Sequence, residues 1–190
     1  DQVGEQEARR THRVGGLRLR QARGGELQLR AGQLVARGQA RLERWELDPV
    51  ARPVSTTVID ERANEFPRHR GSLTAKPYRY GYCASPALDE ATGWPTLKHD
   101  LQTGERWTID HGPGRAAGEP VFVARQDGTA EDDGWLLTLV HDLGTGDTDF
   151  VVMDAADVDR GYVARVRLPQ RVPLGFHGNW VSDRAVPPPM

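Results

Sequence analysis

From residue 41 onward, no stretch of this chain keeps the 3.6-residue apolar period of an amphipathic helix for the roughly 10–12 residues an ordinary helix needs. Apolar runs of about 5–9 residues alternate instead with Gly, Pro, Asp and Asn clusters. That pattern points to an all-β fold with short connections, as in a sandwich, barrel or propeller. ARLERWELD (40–48) alternates, with Leu42, Trp45 and Leu47 as the expected buried positions, and DPVARP (48–53) reads as a turn. PVSTTVID (53–60) is rich in β-branched residues. KPYRYGYCAS (76–85) alternates aromatics with small or polar residues. TLKHDLQTGERWTIDH (96–111) reads as two strands joined by a tight QTGE turn. GEPVFVARQ, GWLLTLVHD, DTDFVVMDAAD and GYVARVRLPQRVP follow as further strands.

Residues 1–38 differ. They contain no Phe, Trp, Tyr or Pro and keep neither a helical nor a long strand period. GLRLR and ELQLR alternate briefly, as short edge strands would. The segment reads as an atypical, poorly packed extension before a β-rich part at 39–190. With 190 residues, 37% hydrophobic and 27% charged, the chain suits a soluble domain with a real core. A net charge of −2 gives no reason to expect a nucleic-acid partner. No apolar run reaches the roughly 18–20 residues of a membrane-spanning helix. A lone cysteine, Cys83, suits a reducing cytoplasm.

Six histidines are present: His12, His69, His99, His111, His141 and His177. None belongs to a compact metal-binding spacing. His99 and His141 precede aspartates at strand ends, His111 adjoins a GPGR turn, and His69 follows FPR, so these are expected at surfaces or in loops. His177 differs, being set in VPLGFHGNWV (172–181), an apolar context rich in glycine. Spacing leaves open whether it is a packed core residue or a metal ligand. Glu65 in EFPR and Glu119 in GEPVFV each precede a proline-containing strand segment. Each is either a solvated carboxylate or one turned inward to accept the N–H of a metal-bound histidine. No GxSxG elbow, P-loop or GxGxxG is present.

Eight segments in order, among them ANEFPRHR, HGPGRAAGEPVFVAR, TAEDDGWLLTLVHD and VARVRLPQRVPLGFHGNWV, resemble the C-terminal part of the carotenoid cleavage oxygenases. The resemblance runs from about residue 40 to residue 181. It implies the C-terminal portion, roughly three blades, of a seven-bladed β-propeller whose blades each take about 40–50 residues. It also implies an iron(II) ion held by four histidines, of which His177 in the closing FHG is the last. Glu65 and Glu119 would be acceptors behind ligand histidines, and Phe176 would line a substrate tunnel. No further catalytic side chain is implied. The reaction would cleave a C=C bond of an apolar polyene or stilbene with O2 to give two carbonyls. Such a chain would be a fragment, inactive alone, because the other three ligands lie upstream of the matching segment. A membrane-docking patch is not readable in these residues, so peripheral membrane contact stays open. The competing reading is a non-enzymatic β-rich binding or scaffold module in which His177 is a core residue and both glutamates are solvated.

Overall fold

The computed structural model describes residues 16–20, 27–30, 33–36, 40–47, 53–86, 93–175 and 177–182; His12 and Phe176, the expected tunnel residue, lie outside them. The described residues form fourteen strands and no α-helix, with single 3-10 turns at Gly71–Leu73 and Val158–Arg160. The all-β expectation therefore holds. Three short strands, β1 (Gly16–Arg20), β2 (Leu27–Arg30) and β3 (Gln33–Ala36), precede β4 (Arg41–Leu47) and β5 (Val54–Asp60). β1, β4 and β5 make one antiparallel sheet, and β2 and β3 a hairpin. A four-stranded meander follows: β6 (Glu65–Arg68), β7 (Tyr80–Ala84), β8 (Thr96–Asp100) and β9 (Arg106–Ile109). The last sheet holds β10 (Arg115–Ala117), β11 (Val121–Ala124), β12 (Gly134–Asp142), β13 (Thr148–Asp154) and β14 (Tyr162–Arg167). Among the described residues these sheets do not close into a ring.

The two larger sheets share one core. Tyr82 and Ile109 from the first meet Leu136, Val140, Val151 and Met153 from the second, and Tyr82 stacks on Phe122 with ring centroids 5.8 Å apart. Each large apolar side chain buried there contributes about 1.5–3 kcal/mol. β12 reads as an almost continuous apolar run because both of its faces are at least half covered: Leu136, Thr138 and Val140 face the core, while Trp135, Leu137 and Leu139 are half-buried on the other side. A smaller cluster of Leu42, Cys83 and Leu97, with Ile59 against it, joins the first sheet to the meander. Burial pushes the Cys83 thiol far up, so it is an inert packing group.

The expectation for β4 holds only at its start. Leu42 is fully buried, Trp45 is half-buried and Leu47 is 46% exposed. A bulge between Leu42 and Glu43 turns both residues inward and breaks the alternation. Leu47 then pairs with Val54, itself exposed, at the outer end of the sheet.

Two strand interruptions shape the site. β10 and β11 pair the same edge of β12 and are separated by Gly118–Glu119–Pro120. Pro120 has no N–H to continue the ladder. The chain is held across the gap by Gly118 N–H to the Leu139 carbonyl (2.8 Å) and by the Thr138 hydroxyl to the Gly118 carbonyl (3.0 Å). In β6, Glu65 pairs Ala84 and Arg68 pairs Tyr82, so one extra residue is accommodated as a bulge. Phe66 takes φ 54° there, a conformation that costs a residue with a side chain about 1 kcal/mol or more.

One turn is used twice. HDLQTGE (99–105) and HDLGTGD (141–147) link β8 to β9 and β12 to β13. In each, the aspartate side chain accepts two backbone N–H groups two and three residues on. In each, a glycine at positive φ (Gly104, Gly146) closes the turn onto the aspartate carbonyl. The two copies sit between strands of different rank in their sheets, so local turn chemistry, rather than a blade repeat, accounts for them.

Candidate functional site

The break at Gly118–Pro120 turns the Glu119 side chain into a position where it is only 4% exposed. Three groups converge on it. His177 Nδ1 donates to Oε1 at 3.2 Å, the Gly178 N–H donates to Oε2 at 2.9 Å, and an Arg68 guanidinium N–H reaches Oε1 at 3.4 Å. An ionised carboxylate can only accept, so Nδ1 carries a proton, and in the neutral imidazole the lone pair is on Nε2. Nε2 has no hydrogen-bond partner among the described residues, and the His177 side chain is 74% exposed. The ring is also met edge-on by Phe66, centroids 5.7 Å apart and planes at 82°.

Three of the expected site residues thus fall at or beside one cluster. Glu119 and His177 touch. Glu65 lies one residue before Phe66 on the β6 bulge and is half-buried, with no hydrogen-bond partner for its carboxylate among the described residues. Burial raises its pKa above the ordinary carboxylate value. Two further members were not singled out from sequence, Phe66 and Arg68. Their only signal was membership of the same EFPR segment as Glu65. Arg68 also approaches the Asn179 side chain at 3.4 Å, tying the terminal segment to β6.

The apolar setting expected for His177 is corrected. The described residues of 171–182 form no strand, and the His177 side chain is 74% exposed. Beneath the segment lies an open cavity of about 340 Å³, lined in part by Val121, Leu137, Leu139, Phe150 and Trp180, with Glu119 and His177 at its margin.

The surface expectation fails for three other histidines. His99 is 1% exposed, and its Nε2 bonds Asp60 Oδ2 at 2.9 Å. Burial alone would raise the Asp60 pKa, but His99 and Arg62 hydrogen-bond the carboxylate and hold it far below the ordinary range. Arg106 adds a further contact at 3.1 Å. His111 is 6% exposed and bridges Thr96 Oγ1 (Nε2, 2.9 Å) and Tyr162 OH (Nδ1, 2.7 Å). Burial lowers its pKa to about 4. His141 is also 6% exposed, with Nδ1 3.3 Å from Thr148 Oγ1, and burial lowers its pKa too. His69 remains a half-buried loop residue stacked on Tyr78. None of these histidines faces a serine nucleophile: Ser85 donates to the Ala63 carbonyl and Ser72 accepts from Arg70.

Among the described residues no group of three or more His, Cys, Asp or Glu side chains could hold a metal ion. The donor chemistry does fit a single metal ligand. A buried carboxylate fixes one ring nitrogen as donor and leaves the other as an outward lone pair, the arrangement found behind metal-bound histidines.

The sequence profile of the retinal pigment epithelial membrane protein family matches residues 14–182. An apocarotenoid-15,15'-oxygenase from Synechocystis is 35% identical over 144 residues, covering 75% of this chain and 29% of that protein. Lignostilbene-alpha,beta-dioxygenase isozyme III from Sphingomonas paucimobilis is 31% identical over 160 residues, covering 77% of this chain and 33% of that protein. The solved structure of cobalt-substituted Synechocystis ACO superposes with a TM-score of 0.70 at 34% identity, over 76% of this chain and 30% of that one. The chain spans about a third or less of the length of these relatives.

Proposed function

Because this chain belongs to the retinal pigment epithelial membrane protein family of carotenoid cleavage oxygenases, we propose that it forms part of an iron(II)-dependent dioxygenase. The whole enzyme is a seven-bladed β-propeller to which residues 39–190 contribute C-terminal blades. It cleaves a C=C bond of a carotenoid, apocarotenoid or stilbene with O2 to give two carbonyl products. Relatives named as apocarotenoid and lignostilbene oxygenases support the reaction class. The observation that carries the site assignment is the His177–Glu119 pair, with Nδ1 held by the carboxylate and Nε2 free to ligate.

The geometry supports the following roles. His177 supplies one imidazole ligand through Nε2. Glu119 fixes its tautomer and, as a buried anion behind the ring, strengthens it as a donor. The Gly178 N–H bonds the second carboxylate oxygen and so helps hold Glu119 behind the ring. Glu65, half-buried and unpartnered among the described residues, accepts the N–H of a second ligand histidine carried outside this chain. Iron is suited to imidazole ligation and supplies the oxygen chemistry when bound. The protein holds the ligand ring, excludes water and selects the double bond presented. Outside the described residues, Phe176 remains the proposed tunnel residue. No helix among the described residues is long and apolar enough to cross a membrane, and peripheral contact is left to the rest of the enzyme.

With one ligand, this chain alone binds iron weakly and turns over no substrate. Two measurements test the reading. Co(II) added to the ¹⁵N-labelled chain should broaden the His177 ring signals before those of His69, and His177→Ala should abolish that priority. Equal broadening of both histidines sinks the ligand assignment. Under air, Fe(II) with an apocarotenoid or stilbene should give no aldehyde, and stoichiometric iron with product would refute the shared-site reading.

A further inference from the structure

We propose that the β6 bulge is a positioning device for the His177 ring, with Phe66 setting the plane of the imidazole and Arg68 holding the segment that carries it. The inference rests on His177 being a ligand, and assigns work to residues that contribute no metal donor themselves.

Three observations carry it. First, Phe66 sits at φ 54°, a backbone conformation that glycine adopts freely and a side chain does not. The bulge alone would be served as well by glycine, so the retained ring calls for an account. Second, that ring meets His177 edge to face, at 82° and 5.7 Å. The hydrogen bond to Glu119 fixes where Nδ1 lies but leaves the ring able to rock about that bond. An edge contact from a second direction removes this freedom, as the aim of an outward Nε2 requires. Third, Arg68 reaches both Glu119 Oε1 and Asn179 Oδ1 from the same four-residue strand. The described residues of 171–182 have no strand ladder to hold them, so side-chain ties locate the segment. The contacts bring one sheet's bulge against the other sheet's carboxylate, and the ligand ring is held between the two.

The test compares Phe66→Leu, Phe66→Tyr and Arg68→Gln in the full chain. Leucine keeps apolar bulk without a ring, and tyrosine keeps the ring. Long-range ¹H–¹⁵N spectra at about pH 8, where imidazole is neutral, report the Nδ1–H tautomer of His177. Phe66→Leu and Arg68→Gln should leave the thermal midpoint unchanged, shift His177 toward a tautomer mixture, and weaken Co(II) binding at His177 by about tenfold, the low end for loss of an orienting partner. Phe66→Tyr should keep wild-type values. Wild-type tautomer and Co(II) affinity in both Phe66→Leu and Arg68→Gln would overturn the proposal, as would a loss that tyrosine fails to restore. If wild-type His177 shows no preference for Co(II), the ligand assignment fails on its own, and the tautomer comparison still decides whether the bulge positions the ring. Should Phe66→Leu fail to fold, Arg68→Gln carries the same readouts.

Discussion

Two histidine–carboxylate pairs in this chain use the same bond for opposite ends. His99 and Asp60 are both sealed, at 1% and 0% side-chain exposure, with Nε2 and Oδ2 2.9 Å apart. Arg62 and Arg106 use the remaining acceptor capacity of Asp60. In the other pair the carboxylate of Glu119 is 4% exposed while the imidazole of His177 is 74% exposed. Where both partners are buried, the pair fastens β8 to the end of β5. Where only the acceptor is buried, the histidine is aimed outward with one nitrogen to spare. Exposure of the imidazole, rather than the presence of the bond, separates a sealed structural pair from one that leaves a ring nitrogen open to solvent.

The largest expected effect breaks the buried pair. Asp60→Ala leaves His99, Arg62 and Arg106 without their shared acceptor, and should cost about 3–5 kcal/mol of stability in urea titration. A loss no greater than that of an exposed substitution would place Asp60 outside the structural class. The acid limb gives a second view. A carboxylate held below its ordinary pKa contributes stability that is present above the unfolded value and lost as pH falls toward the folded one. The wild-type chain should therefore weaken below about pH 4, and Asp60→Asn, already weaker at neutral pH, should flatten that limb.

That contrast also explains what the sequence made legible. Strand runs were readable because alternation and turn residues are local, and both QTGE and the two proline interruptions announce themselves over a few residues. The histidines were misjudged because burial is not local. His99 looks like a strand-end residue beside an aspartate, yet its partner lies 39 residues earlier, and the sheet that seals it is built from separate segments. His177 shows the reverse relation. Its chain neighbours are apolar, yet the described residues around it form no strand and its side chain is 74% exposed. Glu65 and Glu119 stood out because each precedes a proline-containing strand segment, but spacing left each open between solvated and inward, and only the family resemblance chose between them. Phe66 and Arg68 escaped because a positive φ at phenylalanine has no sequence signature.

An intermediate effect tests a buried histidine with no carboxylate at all. His111 joins β8 to β14 through Thr96 and Tyr162, and burial holds its pKa at about 4. As pH falls from about 6.5 to about 4 the unfolded chain takes up the proton first, so stability present at neutral pH should decline across that window. His111→Gln should cost about 1–2 kcal/mol at pH 7 and remove this part of the decline. An unchanged slope would mean that another group titrates there. Tyr162→Phe removes one hydrogen bond at the rim of the same bridge, and calorimetry should show a smaller loss of about 1 kcal/mol.

The smallest effect belongs to the exposed pair, and its smallness is the point. His177→Ala removes a solvent-facing ring, an edge contact to Phe66 and one hydrogen bond to Glu119. Glu119 keeps the Gly178 N–H and the Arg68 guanidinium, so its carboxylate is not stranded. The change in unfolding free energy should stay within about 0.5 kcal/mol, while any His177-dependent metal response disappears. Glu119→Ala is the sharper control, because it strips the Gly178 N–H and Arg68 of their acceptor and should cost more than removing the histidine it serves. If His177→Ala destabilised the chain as much as Asp60→Ala, the two pairs would be one class after all, and the outward imidazole would be part of the scaffold.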